Sequence, residues 1–298
     1  MQTTNPVLKV LGTSARLFGA VVLMFVAFMV SSMISGADAA AAQLTPAEAQ
    51  MSGMVVMLVS LTNALVLSYL ALRSRWHGWK LAGTLFLFQF GVETFMSQVE
   101  TVVFNAALQL TAGQLVSVFA AGFLRALIFA PLAVWMLGKT RKDEAAELPN
   151  PRLVFSAGEW AKRLGILAGL YVVVYFVFGY FVAWQSAELR QFYTGSTDIL
   201  PFFTHMAGVL SDDPRLVLIQ FVRGLMWVGL VLPVVRMFKG GMLETCFAVA
   251  LSLSVLLAVF VLFPNPYMPE PVRTPHFYEL SSSMLTFGAL TGWILMKK

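Results

Sequence analysis

Apolar residues run along this chain in stretches long enough to cross a lipid bilayer, and most charged residues fall between those stretches. About 20 apolar residues cover the ~30 Å of hydrocarbon at about 1.5 Å per helical residue. On that measure the sequence predicts about eight transmembrane helices, at 17–36, 52–72, 81–106, 114–137, 164–184, 215–236, 242–263 and 277–296. Backbone groups in hydrocarbon must find partners within their own segment, so the expected fold class is all-α, a polytopic membrane helix bundle forming one integral domain. The stretch "NPYMPEPVRTP", Asn265 to Pro275, holds four prolines that argue against a helix, and the last span is placed after it.

Composition points the same way. The 298 residues are 58% hydrophobic and 12% charged, with a mean hydropathy of +0.78. A soluble domain carries about 25% charged residues. A net charge of +5 would suit a nucleic-acid partner if the basic residues were clustered on one surface, so their placement decides. Of the 20 Lys and Arg, fifteen fall in alternate loops and at the termini. They are Lys9, Arg16, Arg73, Arg75, Lys80, Lys139, Arg141, Lys142, Arg152, Lys162, Arg163, Arg236, Lys239, Lys297 and Lys298. The opposite loops hold Arg190, Arg215 and Arg273, while Arg125 and Arg223 fall within predicted spans. Basic loops remain on the cytoplasmic side. The expectation is a bacterial cytoplasmic membrane protein with both termini inside, surrounded by lipid and with no nucleic-acid partner.

The first apolar run and the following "SGADAAAA" also resemble a signal peptide cut around Ala39. The charge-free stretch is longer than the usual signal core of about 7–15 residues, so helix 1 is expected to be retained. Between spans 5 and 6 lies the longest external segment, Gln185 to Asp213. Trp184, Tyr193, Phe202 and Phe203 fit an interfacial anchor there, in preference to a lid.

The third span carries polar residues that lipid would not accept. Gln89, Glu93, Ser97 and Glu100 recur at spacings of four, four and three, along one stripe of a regular helix. A charge at the bilayer centre costs about 2.5–3.5 kcal/mol on insertion scales, so the stripe must face protein or water. Arg125 in span 4 and Arg223 in span 6 fall at depths bracketed by the two glutamates, which makes Arg125 a candidate partner for Glu93 or Glu100. Gln220 precedes Arg223 by three residues on the same face, and His276 and Glu279 share a face at the start of span 8.

If spans 3, 4, 6 and 8 are neighbours, these residues line one externally open polar pocket. The expected function is then binding or translocation of a small polar or anionic solute, coupled to protons through Glu93 or Glu100. A membrane enzyme acting on a lipid-linked substrate, with a carboxylate or His276 as base, is the alternative. A non-catalytic subunit is the third reading, to be marked by a filled pocket and a helix face of exposed small residues. Whether the chain forms a homo-oligomer is left open.

Other chemistry finds no support. "WMLGKT" lacks the first glycine of a phosphate-binding loop and ends a membrane helix, and no metalloprotease, hydrolase or dinucleotide motif occurs. Histidine and glutamate occur together once, in the reverse of the order used by di-metal bundles, so neither metal nor cofactor is expected. The lone Cys246 permits no intrachain disulfide. Gly165 with Gly169, and Gly288 with Gly292, have the spacing of close helix contacts. "FLRALIFAPLAV" from Phe123 and "FVRGLMWVGLVL" from Phe221 align as a weak internal repeat. "FVAWQSAELRQFY", "RGLMWVGLVLPVVRM" and "FPNPYMPEPVR" resemble segments of an uncharacterised group of bacterial multi-pass membrane proteins, a resemblance that implies no activity and no site residue.

The charge pattern predicts that reporter fusions after Gly240 read cytoplasmic and a fusion after Gly195 reads external. A cytoplasmic signal at Gly195 would overturn the topology between spans 5 and 6.

Overall fold

A computed structural model of the protein describes residues 6–37, 44–103, 105–141, 150–265 and 267–297. Ala39, Lys142 and Lys298 lie outside the described residues. Among those described, the fold is all-helical, and the only extended pairings are two isolated bridges, Ser74 with Phe238 and Asn265 with Met268. The α-helices are α1 (Pro6–Ser35), α2 (Pro46–Leu72), α3 (Gly78–Phe90), α4 (Met96–Val103), α5 (Asn105–Leu108) and α6 (Ala112–Met136). They continue as α7 (Ala157–Phe181), α8 (Ala187–Thr194), α9 (Phe202–Asp212), α10 (Arg215–Met237), α11 (Met242–Ala258) and α12 (Glu270–Met296).

Among the described residues, six helical stretches are long and apolar enough to cross a membrane: α1 from Val10, α2, α6, α7 on to Gln185, α10, and α11 on to Leu262. Length and apolarity therefore support a helical membrane bundle of six spans, where the hydropathy pattern predicts eight. The other two predicted spans are helical but differ in kind. The segment 81–106 corresponds to α3 and α4, joined without a gap by a π-helical turn, Gly91–Phe95, that interrupts the regular helix. The segment 277–296 lies within α12, whose serines and Glu279 dilute its apolar character. These two are the helices that carry the four acidic and histidine candidates.

Four helices also start well ahead of the predicted spans: α1, α2 at Pro46 where 52 is predicted, α7 at Ala157 where 164 is predicted, and α12. The proline-rich stretch does not hold off α12, which starts at Glu270 with Pro271 in its first turn, where a backbone N–H has no intrahelical acceptor to lose. Pro275 is then accommodated inside the helix. At the N-terminus, α1 begins at Pro6, ahead of the predicted 17.

Predicted basic loops meet at one end of the bundle. The Arg75 N–H donates to the Met237 carbonyl, the Lys239 N–H to that of Arg73, and the Gly78 N–H to that of Lys139, each at 2.8 Å. The Arg152 guanidinium donates to the carbonyls of Val235 and Gly240, and Arg73 pairs with Glu244 at 2.6 Å. The Arg152 cation thus caps carbonyls at and just beyond the C-terminal end of α10. Burial, and then the nearby charge of Arg75, pushes the Arg152 guanidinium below its ordinary pKa.

At the opposite end, Tyr180, Phe181, Trp184, Phe202 and His205 stack between the end of α7 and α9. No residue of α9 is buried, and Phe203 is 83% exposed. Tyr193 departs from the anchor expected of it, because its hydroxyl turns toward α12 and lies 3.1 Å from His276 Nε2.

Of the two glycine pairs, only one is a contact within the chain. A Cβ at Gly288 would lie 2.7 Å from Ala250 Cα, and one at Gly292 would lie 2.8 Å from Cys246 Cα, so α11 and α12 touch backbone to backbone. Among the described residues, a Cβ at Gly165 or Gly169 on α7 would meet no neighbouring element within 4 Å. Gly288→Ala should therefore lower stability by about 1–3 kcal/mol through overpacking, while Gly165→Ala should change it by less than about 0.5 kcal/mol. Thermal unfolding of the purified variants in detergent compares them directly; equal effects would show that the α11–α12 approach is not that close.

Candidate functional site

The site is organised by the π turn. Its closing bond runs from the Met96 N–H to the Gly91 carbonyl, one residue longer than an α-helical bond. Two glycines make room for it. A Cβ on Gly122 of α6 would lie 1.9 Å from Thr94 Oγ1, so Thr94 sits against bare α6 backbone. A Cβ on Gly91 would lie 2.4 Å from a methyl of Leu230 on α10. In an unbroken α-helix, Glu93 and Glu100 would stack two turns apart on one face. The extra residue in the π turn changes that phase, and the stripe read from the sequence divides between two neighbourhoods.

Glu93 belongs to the first. Its Oε2 pairs with Arg125 Nε at 3.1 Å and accepts from Gln89 at 3.3 Å, and its Oε1 accepts from Asn63 of α2 at 2.9 Å. The guanidinium of Arg125 lies over the stacked rings of Phe28 and Phe260, 4.9 and 4.6 Å from their centres. Only 1% of the Glu93 side chain and 6% of Arg125 are exposed. Both carboxylate oxygens are bonded and the pair is almost wholly buried against two aromatic rings, which suits a structural ion pair.

Glu100 belongs to the second. Arg223 Nη2 donates to Glu100 Oε2 at 2.9 Å, and Nη1 donates to Gln220 Oε1 at 2.8 Å. Arg223 is 3% exposed in its side chain whereas Glu100 is 30% exposed, so the pair has an open carboxylate side. Arg223 Nε and Gln220 Nε2 are buried donors with no acceptor among the described residues. Glu100, Arg223 and Glu279 line a cavity of about 10 Å³, walled also by Tyr171, Tyr175 and Ser283. That is room for about one water.

Glu279 has no arginine of its own. Its Oε2 lies 3.9 Å from His276 Nδ1, and the other ring nitrogen of His276 faces Tyr193 of α8. Burial, followed by the charges of Glu100 and Glu279, pushes the Tyr193 phenol well above its ordinary pKa. The second neighbourhood thus sets two carboxylates around one guanidinium.

The seven residues singled out from the sequence therefore form two groups. Glu93 with Arg125 is one, and Glu100, Gln220, Arg223, His276 and Glu279 make the other. Sequence reasoning missed Asn63, an amide next to Thr62 in the apolar part of α2, and Tyr171, Tyr175 and Tyr193, whose rings look like ordinary membrane aromatics. Among the described residues, no group of three or more His, Cys, Asp and Glu could hold a metal ion. In comparisons with known proteins, no family model, no curated protein and no solved structure matches the chain.

This pairing predicts a specific rescue. Arg125→Leu should cost about 3–5 kcal/mol by stranding a buried carboxylate, and Glu93→Leu in the same chain should recover much of it. Glu100→Leu should recover nothing. Rescue by Glu100→Leu instead, read as thermal stability in detergent, would show that the π turn does not divide the glutamates in this way.

Proposed function

We propose that the chain is an integral membrane protein that crosses the bilayer eight times, α3–α4 and α12 completing the six apolar spans, and binds or translocates a small anionic solute with a proton. The observation that carries this reading is Arg223, a buried cation whose Nε, together with Nε2 of neighbouring Gln220, has no acceptor, beside a carboxylate open to one side. A buried unpaired donor costs about 1–3 kcal/mol, and an anion with two acceptor oxygens would remove that cost. Glu100 competes for the same guanidinium. An anion can replace it at low cost only if Glu100 takes up a proton, which ties solute binding to proton binding. Drug-sized ligands need pockets of about 300–1,000 Å³, so a cavity of about 10 Å³ restricts the solute to the scale of a small ion unless side chains withdraw.

On this reading Glu93 and Arg125 hold α2, α3 and α6 in place and do not take part in transfer. The cytoplasmic orientation of the basic end is part of the same proposal, on the positive-inside rule.

A second reading is favoured by one observation. The open face at Gly165 and Gly169, with the near-filled cavity, suits a subunit that packs against another membrane protein.

Formate, acetate and phosphate, each added to purified protein in detergent, should test the first reading. At least one should raise the unfolding temperature, by about 2.7 kcal/mol of linkage at one hundred times its dissociation constant. The stabilisation should grow as pH falls, and Glu100→Gln should make it independent of pH. Stabilisation with the same pH dependence in Glu100→Gln, or none by any of the three, would contradict coupling at this pair.

A further inference from the structure

We infer that His276 and Tyr193 form a proton relay that loads Glu279 from the outer surface, so that the carboxylate without an arginine is the proton carrier of the site. The inference rests on the reading of the Arg223 cluster given above and names the route by which its proton arrives.

Charge counting supplies the first step. Around the cavity stand Glu100 from α4, Tyr171 and Tyr175 from α7, Arg223 from α10, and Glu279 from α12, while α11 contributes only Leu257. Tyr193 from α8 and His276 from α12 complete the titratable groups on the outer side. Arg223 balances Glu100 at 2.9 Å. Glu279, with 10% of its side chain exposed, has only His276 as a cationic neighbour, so the cluster is one positive charge short when the imidazole is neutral. A proton on Glu279 would supply the missing positive charge.

Geometry supplies the second step. From Glu279 the groups run outward in order: carboxyl Oε2 to His276 Nδ1 at 3.9 Å, then His276 Nε2 to the Tyr193 hydroxyl at 3.1 Å. His276 retains 24% side-chain exposure, and Tyr193 belongs to α8, one of the short helices outside the apolar spans. On the inner side the one-water cavity links Glu279 to Glu100. Imidazole is suited to this position because its two nitrogens can take a proton on one side and give one on the other.

The transfer balances. Tyr193 gives its hydroxyl proton to His276 Nε2 while it takes one from an outside hydronium, and the imidazolium that results gives its Nδ1 proton to Glu279 Oε2. Two O–H bonds (of the hydronium and of Tyr193) and one N–H bond (at His276 Nδ1) break, and two O–H bonds (at Tyr193 and Glu279) and one N–H bond (at His276 Nε2) form, leaving a water outside. The same steps in reverse discharge Glu279. The 3.9 Å step needs about 1 Å of closure to reach hydrogen-bond length, which a side-chain torsion supplies.

The test is a pH jump on purified protein in detergent, followed by time-resolved infrared absorption of protonated carboxyl groups. Wild type should show a carboxyl signal that Glu279→Gln removes. His276→Phe should keep the final amplitude but reach it about tenfold more slowly or worse, with added imidazole restoring the rate, and Tyr193→Phe should slow it less. His276→Gln serves as a second variant if the phenylalanine does not fold. An unchanged rate in a folded His276 variant, or a carboxyl signal that persists in Glu279→Gln, would overturn the relay. The anion-binding proposal is independent of these rates, since equilibrium stabilisation by an anion does not depend on how fast the proton arrives.

Discussion

Charge buried where water cannot reach it is the constraint on which this structure depends. The helical segment from Gly78 to Val103 carries two glutamates, and each must meet a cation or a proton to be held inside an apolar bundle. The bundle solves this twice, with an arginine from α6 for Glu93 and an arginine from α10 for Glu100. Much of the local packing serves those meetings. Gly122 admits Thr94 so that α6 can approach, Phe28 and Phe260 cover the Arg125 cation, and Gly224 lets α10 press against α7 beside Arg223.

The two pairs end in different states. At Glu93, both carboxylate oxygens are bonded and the side chain is 1% exposed, with Gln89 Oε1 left as a buried acceptor without a donor among the described residues. At Glu100, the carboxylate is partly exposed, two donors lack acceptors, and a second carboxylate faces the same small cavity. A buried carboxylate bonded at both oxygens is held in place, whereas one open on one side beside unpaired donors can change partner. The division of labour in the proposed function follows from that difference, and the π turn produces it by turning Glu100 away from the face that Glu93 uses. The aligned segments of α6 and α10 each send an arginine to the same broken helix, which gives their weak sequence likeness a shared structural role.

Much of this was legible in the residues, for identifiable reasons. Apolar runs of bilayer length register in hydropathy whatever their neighbours, and so the helical segments were found. The arginine partners were legible as types and depths: Arg125 was assigned to Glu93 or Glu100, but the choice depends on helix phase. Nothing in "GVETF" marks a π turn, since the distortion arises from how Thr94 and Gly122 meet across two helices. The same limit hid Asn63 and Tyr193, each chosen by tertiary approach. The start of α12 was misplaced because a proline tolerated in a first helical turn looks, in sequence, like one that breaks a helix.

The central claim is that the working carboxylate is in the Arg223 cluster and that Glu93 is scaffold. Equilibrium infrared difference spectra of the purified protein between acidic and alkaline pH test it most directly, compared among wild type, Glu93→Gln and Glu279→Gln. The account predicts a carboxyl band that titrates in wild type, persists in Glu93→Gln and vanishes in Glu279→Gln. A band that vanishes in Glu93→Gln and persists in Glu279→Gln would contradict it and return the proton to the deepest glutamate.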